Sequence, residues 1–409
     1  MDAAITRVDP SQASPLHRHQ SSLEGIISFP SETPLSAYQL AAAKRQFYHI
    51  VQHFASQCPV DKGRSRGAQY SRPLLVRFTY EYSRSQESQD VFLRGFFRSM
   101  KLLLDEPDVD LSDEQVEGDL RAALFEFADY LLDNFFLPLK ASTRKTPQPS
   151  PAYHSAIQRA QGAALPQNLV GTPERVSALR GACLVRDGHR CVVSRKFDLR
   201  EALKRTEAHG DDARDDDGAL LSEDINPIDT LEVAHILPHS LTKGGSGTQL
   251  EPSREAALAI LNMFDMGVAH LIEGAEIDRP RNAMTLTHFL HQLFGDFRIF
   301  FEPTIDQPPH TYTIGSFLPR HIMRDPSLPV TRTLHLVENR TIDPPSPRLL
   351  AVPYAIAHIL HLSAAGEYID RILRDAEEYG VRADGSTELG RLVGLGLGQW
   401  AGGIPSREI

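Results

Sequence analysis

The sequence has few cysteines, no long apolar run and no excess of positive charge. Its three cysteines, Cys58, Cys183 and Cys191, are too few and too scattered for a disulfide framework or a four-thiolate zinc site. No run of about 18 apolar residues is present, and residues 1–7 lack the apolar core of a signal peptide. These absences predict an intracellular protein, nuclear or cytoplasmic, that has no membrane partner.

Negative charge predominates, but it is unevenly distributed. The formal net charge of −10 argues against nucleic-acid binding, because basic side chains on phosphates supply most of that affinity. Residues 206–230 contain nine acids and one base, a net charge of −8, so the rest of the chain carries only −2. A run of this density predicts a solvated, disordered insertion. The overall charge therefore does not exclude a nucleic-acid site elsewhere in the chain.

Length and composition predict several domains. At 409 residues the chain exceeds what one hydrophobic core usually organises. We expect a disordered N-terminus at residues 1–32, a helical domain at 33–140 and a proline-rich linker at 141–170. The other predicted parts are a domain at 171–330 with the acidic insertion at 206–230, a C-terminal helical extension at 331–380 and a Gly/Ser-containing tail at 381–409.

Helical periodicity supports the N-terminal domain. Apolar residues recur at helical spacing in three stretches, which begin at Phe47, Phe92 and Val116. Ser112 starts a capping-box pattern at the beginning of the third helix, and Pro138 should end that helix. The periodicity therefore predicts three helices in this domain.

Further along, the chain mixes short strands and helices. A proline at the first helical position predicts a helix from Thr172 to about Val185. Strand composition is found at 191–194 and 231–237. A further helix, a hairpin and a C-terminal helix are predicted at 253–265, 297–317 and 352–379. This mixture predicts the α+β fold class.

Three short segments fit together as one catalytic unit. In residues 232–238, Glu-Val-Ala-His-Ile-Leu-Pro, His235 precedes an apolar turn; Asn282 then opens a second short strand, and His291 follows nine residues later on a predicted helix. With the upstream Arg-Asp-Gly-His-Arg-Cys-Val-Val-Ser at 186–194, this pattern resembles the HNH (His-Asn-His) endonuclease superfamily. Within that superfamily it is most similar to the HNH nuclease domains of predicted fungal proteins.

The resemblance implies a fold and an activity. The expected core is a ββα-metal (His-Me finger) unit, with a helical N-terminal domain and a C-terminal helix around it. The implied activity is metal-dependent hydrolysis of nucleic-acid phosphodiesters, with DNA favoured over RNA. His235 would be the general base, Asn282 would orient it, and His291 would bind the metal from the helix. Imidazole suits the first role, because its ordinary pKa of about 6.5 leaves it largely unprotonated and still basic at cellular pH.

Other residues are weaker candidates for the same site. His239, Glu232 and Asp296 are further candidate metal ligands, whereas His288 points away from the apolar stripe of its helix and is predicted to be exposed. The candidates for contact with substrate phosphates are Arg186, Lys243 and Arg281. For Arg186, which forms a charge pair with Asp187, the alternatives are a surface salt bridge and a role in bracing the motif.

Two positions depart from the pattern of many relatives. Ala234 stands where an Asp or His metal ligand often precedes the base, and Gly295 stands where some relatives carry an acid one turn after the helix histidine. These departures leave a second interpretation open, a nucleic-acid-binding or protein-interaction module that has lost catalysis. The residues themselves do not predict an oligomeric state.

The expected cofactor is a divalent metal ion. Mg²⁺ is favoured, since it is held by few side chains together with water and substrate phosphate. Zn²⁺, Mn²⁺ and Ni²⁺ suit imidazole ligands as well. The metal therefore stays open among these four ions.

Overall fold

The computed structural model of the protein describes eight stretches of the chain: residues 33–57, 69–104, 108–143, 172–241, 252–323, 326–334, 342–378 and 388–397. The predicted N-terminal tail lies outside these residues. So do nearly all of the predicted linker and most of the predicted C-terminal tail.

Helices make up most of the described fold. Before residue 144 they are α1 (Ala37–Gln57), α2 (Arg72–Glu81), α3 (Gln86–Met100), α4 (Glu114–Leu131) and α5 (Leu137–Thr143). From residue 172 onward they are α6 (Thr172–Arg186), α7 (Leu199–His209), α8 (Pro252–Asn262), α9 (His288–Gly295), α10 (Pro347–Leu362), α11 (Ala365–Glu378) and α12 (Leu389–Leu397).

Two small antiparallel sheets complete the described part of the fold. Strand β1 (Leu231–His235) pairs with β2 (Ala283–Thr287). The second sheet has the order β3 (Ile299–Pro303), β4 (Thr311–Ser316) and β5 (Val330–Thr333). Helices with small antiparallel sheets give the predicted α+β class. The predicted hairpin is confirmed as β3 and β4, and β5 was not predicted.

The three predicted N-terminal helices are confirmed as α1, α3 and α4, but two boundary predictions are wrong. Asp113, not Ser112, caps α4: its carboxylate accepts hydrogen bonds from two backbone N–H groups, at 2.9 and 3.2 Å. Pro138 does not end the helical path, because it lies inside α5. The π-helical turn Leu132–Phe136 directly before it widens the backbone where the proline ring would otherwise crowd a preceding carbonyl.

Two later predictions also need correction. The predicted strand at 191–194 is a turn, closed by the N–H of Arg195 donating to the carbonyl of Cys191 at 3.0 Å. The single predicted C-terminal helix is two helices, α10 and α11, because the chain breaks at Ala364, whose φ is 62°. No single described helix is long and apolar enough to cross a membrane; only the bent pair Pro347–Leu362 and Ala365–Glu377 meets that test, by length and composition alone.

One continuous cluster of buried apolar side chains connects the N-terminal helices, the two sheets and the C-terminal helices. The N-terminal part of the fold also holds the segment after α8 by a hydrogen bond and an aromatic contact. Ser83 Oγ donates to the carbonyl of Met263 at 2.7 Å, and Phe135 stacks on Phe264 with ring centroids 5.4 Å apart. The N-terminal helices therefore brace the chain between β1 and β2. The domain boundaries remain a prediction.

The acidic segment at 206–230 is ordered, so the prediction of disorder is wrong. Four of its nine carboxylates bind basic side chains. Arg190 binds Asp215 at 2.8 Å and Asp224 at 2.6 Å, while Asp216 binds Arg205 and lies 2.7 Å from His189. The prediction failed because it summed charge within the segment, whereas Arg190 and His189 lie upstream of it.

We expect Asp216→Asn to destabilise the protein by about 1 to 3 kcal/mol at neutral pH, because it weakens the charged hydrogen bonds to His189 and Arg205. Burial raises the pKa of Asp216, but the bonds from His189 and Arg205 outweigh burial and lower it from 3.8 to about 2. The stabilisation is therefore fully present above about pH 4 and is lost as the pH falls towards 2.

Chemical denaturation of the wild type and Asp216→Asn between pH 7 and pH 2 measures this difference. Asp217→Asn is the matched control, since Asp217 is exposed beside it. Equal stability of the two variants at pH 7 would contradict this structural role of Asp216 and favour the view of the acidic segment as a solvated insertion.

Candidate functional site

Strands β1 and β2 and helix α9 form one compact unit. His235, the last residue of β1, lies opposite Ala283, the first residue of β2. Helix α9 begins directly after β2, where Thr287 caps it by accepting a hydrogen bond from the N–H of Leu290. Helix α6 packs against both strands, and Arg180 on it donates to the carbonyl of Leu231 at 2.8 Å. The unit is therefore held from one side by a helix that precedes it in sequence.

The side chain of Asn282 fastens the turn after His235 to the turn before β2. Its Oδ1 accepts from the N–H of Leu237 at 3.0 Å, and its Nδ2 donates to the carbonyls of Leu237 and Ile277 at 3.0 and 2.9 Å. Asn282 is fully buried, and its amide forms all three bonds with backbone groups. Asn282 therefore contacts the backbone of the turn after His235 and makes no hydrogen bond to the His235 ring.

His235 is buried and bonded through one ring nitrogen. Its Nε2 lies 3.1 Å from Oδ1 of Asp278, and the His239 ring is its imidazole neighbour, with centroids 6.4 Å apart. The other nitrogen, Nδ1, is buried and has no hydrogen-bond partner among the described residues. The ring is thus fixed on one side and has an unused polar atom on the other.

Asp278 joins three side chains and was missed in the sequence. Its side chain is 1% exposed, and its Oδ2 accepts from Arg175 Nε at 3.2 Å and lies 3.5 Å from His239 Nε2. Burial acts to raise the pKa of Asp278, but the bonds from His235 and His239 outweigh it and hold that pKa well below its usual range. The available signal was an acid four residues before Asn282, in the Ile-Asp-Arg-Pro turn.

Glu232 and His291 form a second polar group. His291 Nδ1 lies 2.6 Å from Oε2 of Glu232, and His288 Nδ1 lies 2.9 Å from Oε1. The hydrogen bond from His291 lowers the pKa of Glu232, and a weaker one from His288 acts in the same direction. Together they outweigh burial, which raises that pKa, and bring it to about 2. His288 is exposed as predicted, at 62% of its side chain, but it is also a partner of the same carboxylate.

The positions that depart from many relatives have structural explanations. Ala234 is buried in β1, and its methyl group cannot bind a metal ion. Glu232 lies two residues earlier, and its carboxylate is therefore on the same face of the strand. Gly295 packs against the end of α5: an added Cβ would lie 3.1 Å from the carbonyl oxygen of Thr143. A side chain at position 295 would therefore require the last residue of α5 to shift by a few tenths of an ångström.

Two predicted site residues lie elsewhere. Asp296 lines a cavity of about 210 Å³ together with Lys140 and His361, so the structure does not place it with His291. Arg186 is not available to substrate, and it is not a surface salt bridge either. Its side chain is 1% exposed and binds Asp187 through two bonds of 2.7 and 2.8 Å, and it also donates to the carbonyls of Pro280, Ala283 and Asp343.

The structure does not support the other two predicted phosphate-binding residues, Arg281 and Lys243, either. Arg281 donates to Glu276 at 2.7 Å and to the carbonyl of Leu271 at 3.2 Å, so a carboxylate already neutralises its charge. Lys243 lies outside the described residues.

Four of the predicted site residues thus lie in two polar groups. One contains His235 and His239, joined by Asp278, and the other contains Glu232 and His291. Because Glu232 and His235 are three residues apart in β1, their side chains leave opposite faces of the strand. Within the described stretches, no cluster of three or more His, Cys, Asp or Glu side chains is arranged to hold a metal ion.

Residues 191–302 match the protein family described as HNH endonuclease. The matched region is about a quarter of the chain, and it contains both polar groups and Asn282. Arg186 and α6 lie upstream of it. A search of curated proteins and a search of solved structures found no match.

We expect Asn282→Ala to destabilise the protein by about 2 to 4 kcal/mol, because it leaves a buried N–H and two buried carbonyls without partners. Urea denaturation measures this loss. Asn226→Ala is the matched control, since its side chain donates one bond to Asp224 at 3.1 Å in a partly exposed turn. Similar losses in the two variants would contradict the bracing role of Asn282.

Proposed function

Since residues 191–302 belong to the HNH endonuclease superfamily, we propose that this protein is a divalent-metal-dependent nuclease that hydrolyses DNA. In this proposal β1, β2 and α9 form the ββα-metal core. His235 is the general base, Asn282 braces it, and Glu232 and His291 hold the metal ion.

The observation that carries the proposal is the set of backbone bonds made by Asn282. A general base must be held in one orientation to remove a proton from water at the right moment. Asn282 binds both backbone polar groups of Leu237, two residues after His235. Asparagine at the start of β2 therefore has a physical role that matches its place in the family pattern.

Catalysis needs a water molecule positioned between His235 and the scissile phosphate. His235 takes a proton from that water, and the water oxygen attacks phosphorus. General-base assistance of this kind contributes about 10²- to 10⁴-fold in rate. The buried setting of His235 also limits competing contact with bulk solvent.

The chemistry of Glu232, His291 and His288 suits a divalent ion, since they offer one carboxylate and two imidazoles. One or two such side chains are enough for Mg²⁺, which keeps most of its ligands as water and substrate phosphate. A bound divalent ion supplies positive charge that offsets the negative charge developing on the phosphate. Glu232 thereby supplies the carboxylate that Ala234 lacks.

We expect purified protein to nick or linearise plasmid DNA with Mg²⁺ and to stop when EDTA is added. His235→Ala and His235→Gln should lose cleavage by about 10²-fold or more, because each removes the base. Parallel reactions with Mn²⁺, Zn²⁺ and Ni²⁺ identify the metal, and circular dichroism confirms that the variants fold. A folded His235→Gln variant that cleaves at the wild-type rate would assign the base elsewhere.

We expect His291→Ala to raise the metal concentration needed for half-maximal cleavage by about tenfold or more, because one imidazole ligand is lost. Excess metal should restore part of the rate. His270→Ala is the control, since His270 is exposed and pairs only with Glu273 among the described residues. An unchanged metal requirement in His291→Ala would remove His291 from the metal site.

A module that binds nucleic acid without cutting it is the second candidate. The separation of His235 and His291 into two groups, built on opposite faces of β1, favours it. Salt-sensitive binding to DNA with no cleavage under any of the four metals would select this function over the nuclease.

A further inference from the structure

We propose that Asp278 is the positioning residue for His235, and that it makes Nδ1 the basic atom of that ring. The inference rests on the proposed function, in which His235 is the base. Asp278 touches neither substrate nor water in this scheme, and it acts through His235.

The tautomer follows from the contact between the two side chains. An ionised carboxylate only accepts hydrogen bonds, so a neutral His235 must carry its proton on Nε2, which lies 3.1 Å from Asp278 Oδ1. The lone pair is then on Nδ1, which is buried and has no partner among the described residues. A buried acceptor without a partner costs free energy, and a water molecule on Nδ1 would remove that cost.

The surroundings of Asp278 keep its carboxylate in place. Arg175 Nε donates to Oδ2 at 3.2 Å, and His239 Nε2 lies 3.5 Å from the same oxygen. Asn282 also donates to the carbonyl of Ile277, the residue before Asp278. The same amide that holds the turn after His235 therefore holds the backbone beside Asp278, so the two partners are fixed relative to each other.

In this arrangement the water molecule gives its proton to His235 as it attacks phosphorus. One O–H bond of the water breaks, its proton moves to Nδ1, and the water oxygen forms a bond to phosphorus. The P–O3′ bond breaks, its electron pair stays on O3′, and O3′ takes a proton from solvent. His235 becomes an imidazolium whose Nε2–H faces the Asp278 carboxylate, which stabilises that charge.

The first test does not depend on activity. Long-range ¹H–¹⁵N correlation spectra of the full-length protein, labelled at histidine nitrogens, report which nitrogen carries the proton above neutral pH. We expect the Nε2–H form for His235 in the wild type and a mixture of both forms in Asp278→Asn. His235→Gln assigns the signal. A wild-type His235 protonated on Nδ1 would overturn the inference, whether or not the protein cleaves DNA.

The second test uses cleavage. We expect Asp278→Asn to lower kcat by about 10²- to 10⁴-fold with KM for DNA nearly unchanged, as expected when only the base is misoriented. Glu273→Gln, at an exposed acid nearby, is the control.

The two failures are distinguishable. A wild type that cleaves no DNA with any metal ends the nuclease proposal, and the spectra still decide the tautomer. A wild type that cleaves, together with an Asp278→Asn variant of equal kcat and KM, overturns the positioning role alone.

Discussion

The buried ion pair between Arg186 and Asp187 is the contact on which the site depends. Arg186 donates to the carbonyls of Pro280 and Ala283, the two positions on either side of residues 281 and 282. Asp187 accepts from the N–H of Thr285 in β2 at 3.1 Å. Removing one partner of a buried pair typically costs about 3 to 5 kcal/mol, because the other charge is left uncompensated. The end of α6 therefore fixes where β2 begins, and with it the position of Asn282.

A series of hydrogen bonds connects this ion pair to the two turns that carry His235 and Asp278. Asn282 holds Leu237 and Ile277, and these lie beside His235 and Asp278 in sequence. No member of the series is a long, flexible side chain held only at the surface. In the proposed function, a base positioned in this way loses little conformational entropy during reaction, which favours efficient proton transfer.

Many charged side chains of this protein are paired with each other within the fold. Net charge and charge runs in the sequence therefore predicted neither the order of the acidic segment nor the partners of the protein's arginines. Four of the nine acids in the acidic segment, Asp215, Asp216, Asp224 and Asp229, bind Arg190, Arg205, His189 or Lys196 in the same fold, so part of its −8 is compensated locally. The same holds with opposite sign for Arg186 and Arg281, which were expected to meet phosphate but bind carboxylates and carbonyls of the protein itself.

Much of the fold could be predicted, because helical periodicity and short-range signals are local. The α+β class, α1, α3, α4, α6 and the β3–β4 hairpin follow from patterns within single segments. The parts that failed depend on distant partners: Asp278 meets His235 across 43 residues, and Arg190 meets Asp224 across 34. Spacing within a motif places His235, Asn282 and His291 on their elements, but it does not say which acid will face each histidine.

The two polar groups on β1 differ in exposure, and this difference constrains how substrate would be used. His235 and Asp278 are buried, whereas His288 beside Glu232 is mostly exposed. In the proposed function the exposed group meets the phosphate backbone first, while the buried group meets only the attacking water. His235 is the last residue of β1, whereas Glu232 is the second residue of that strand and pairs with Leu286, close to the start of α9. The two groups therefore lie towards opposite ends of β1 as well as on its opposite faces, so in the proposed function the substrate has to extend along the strand to reach both.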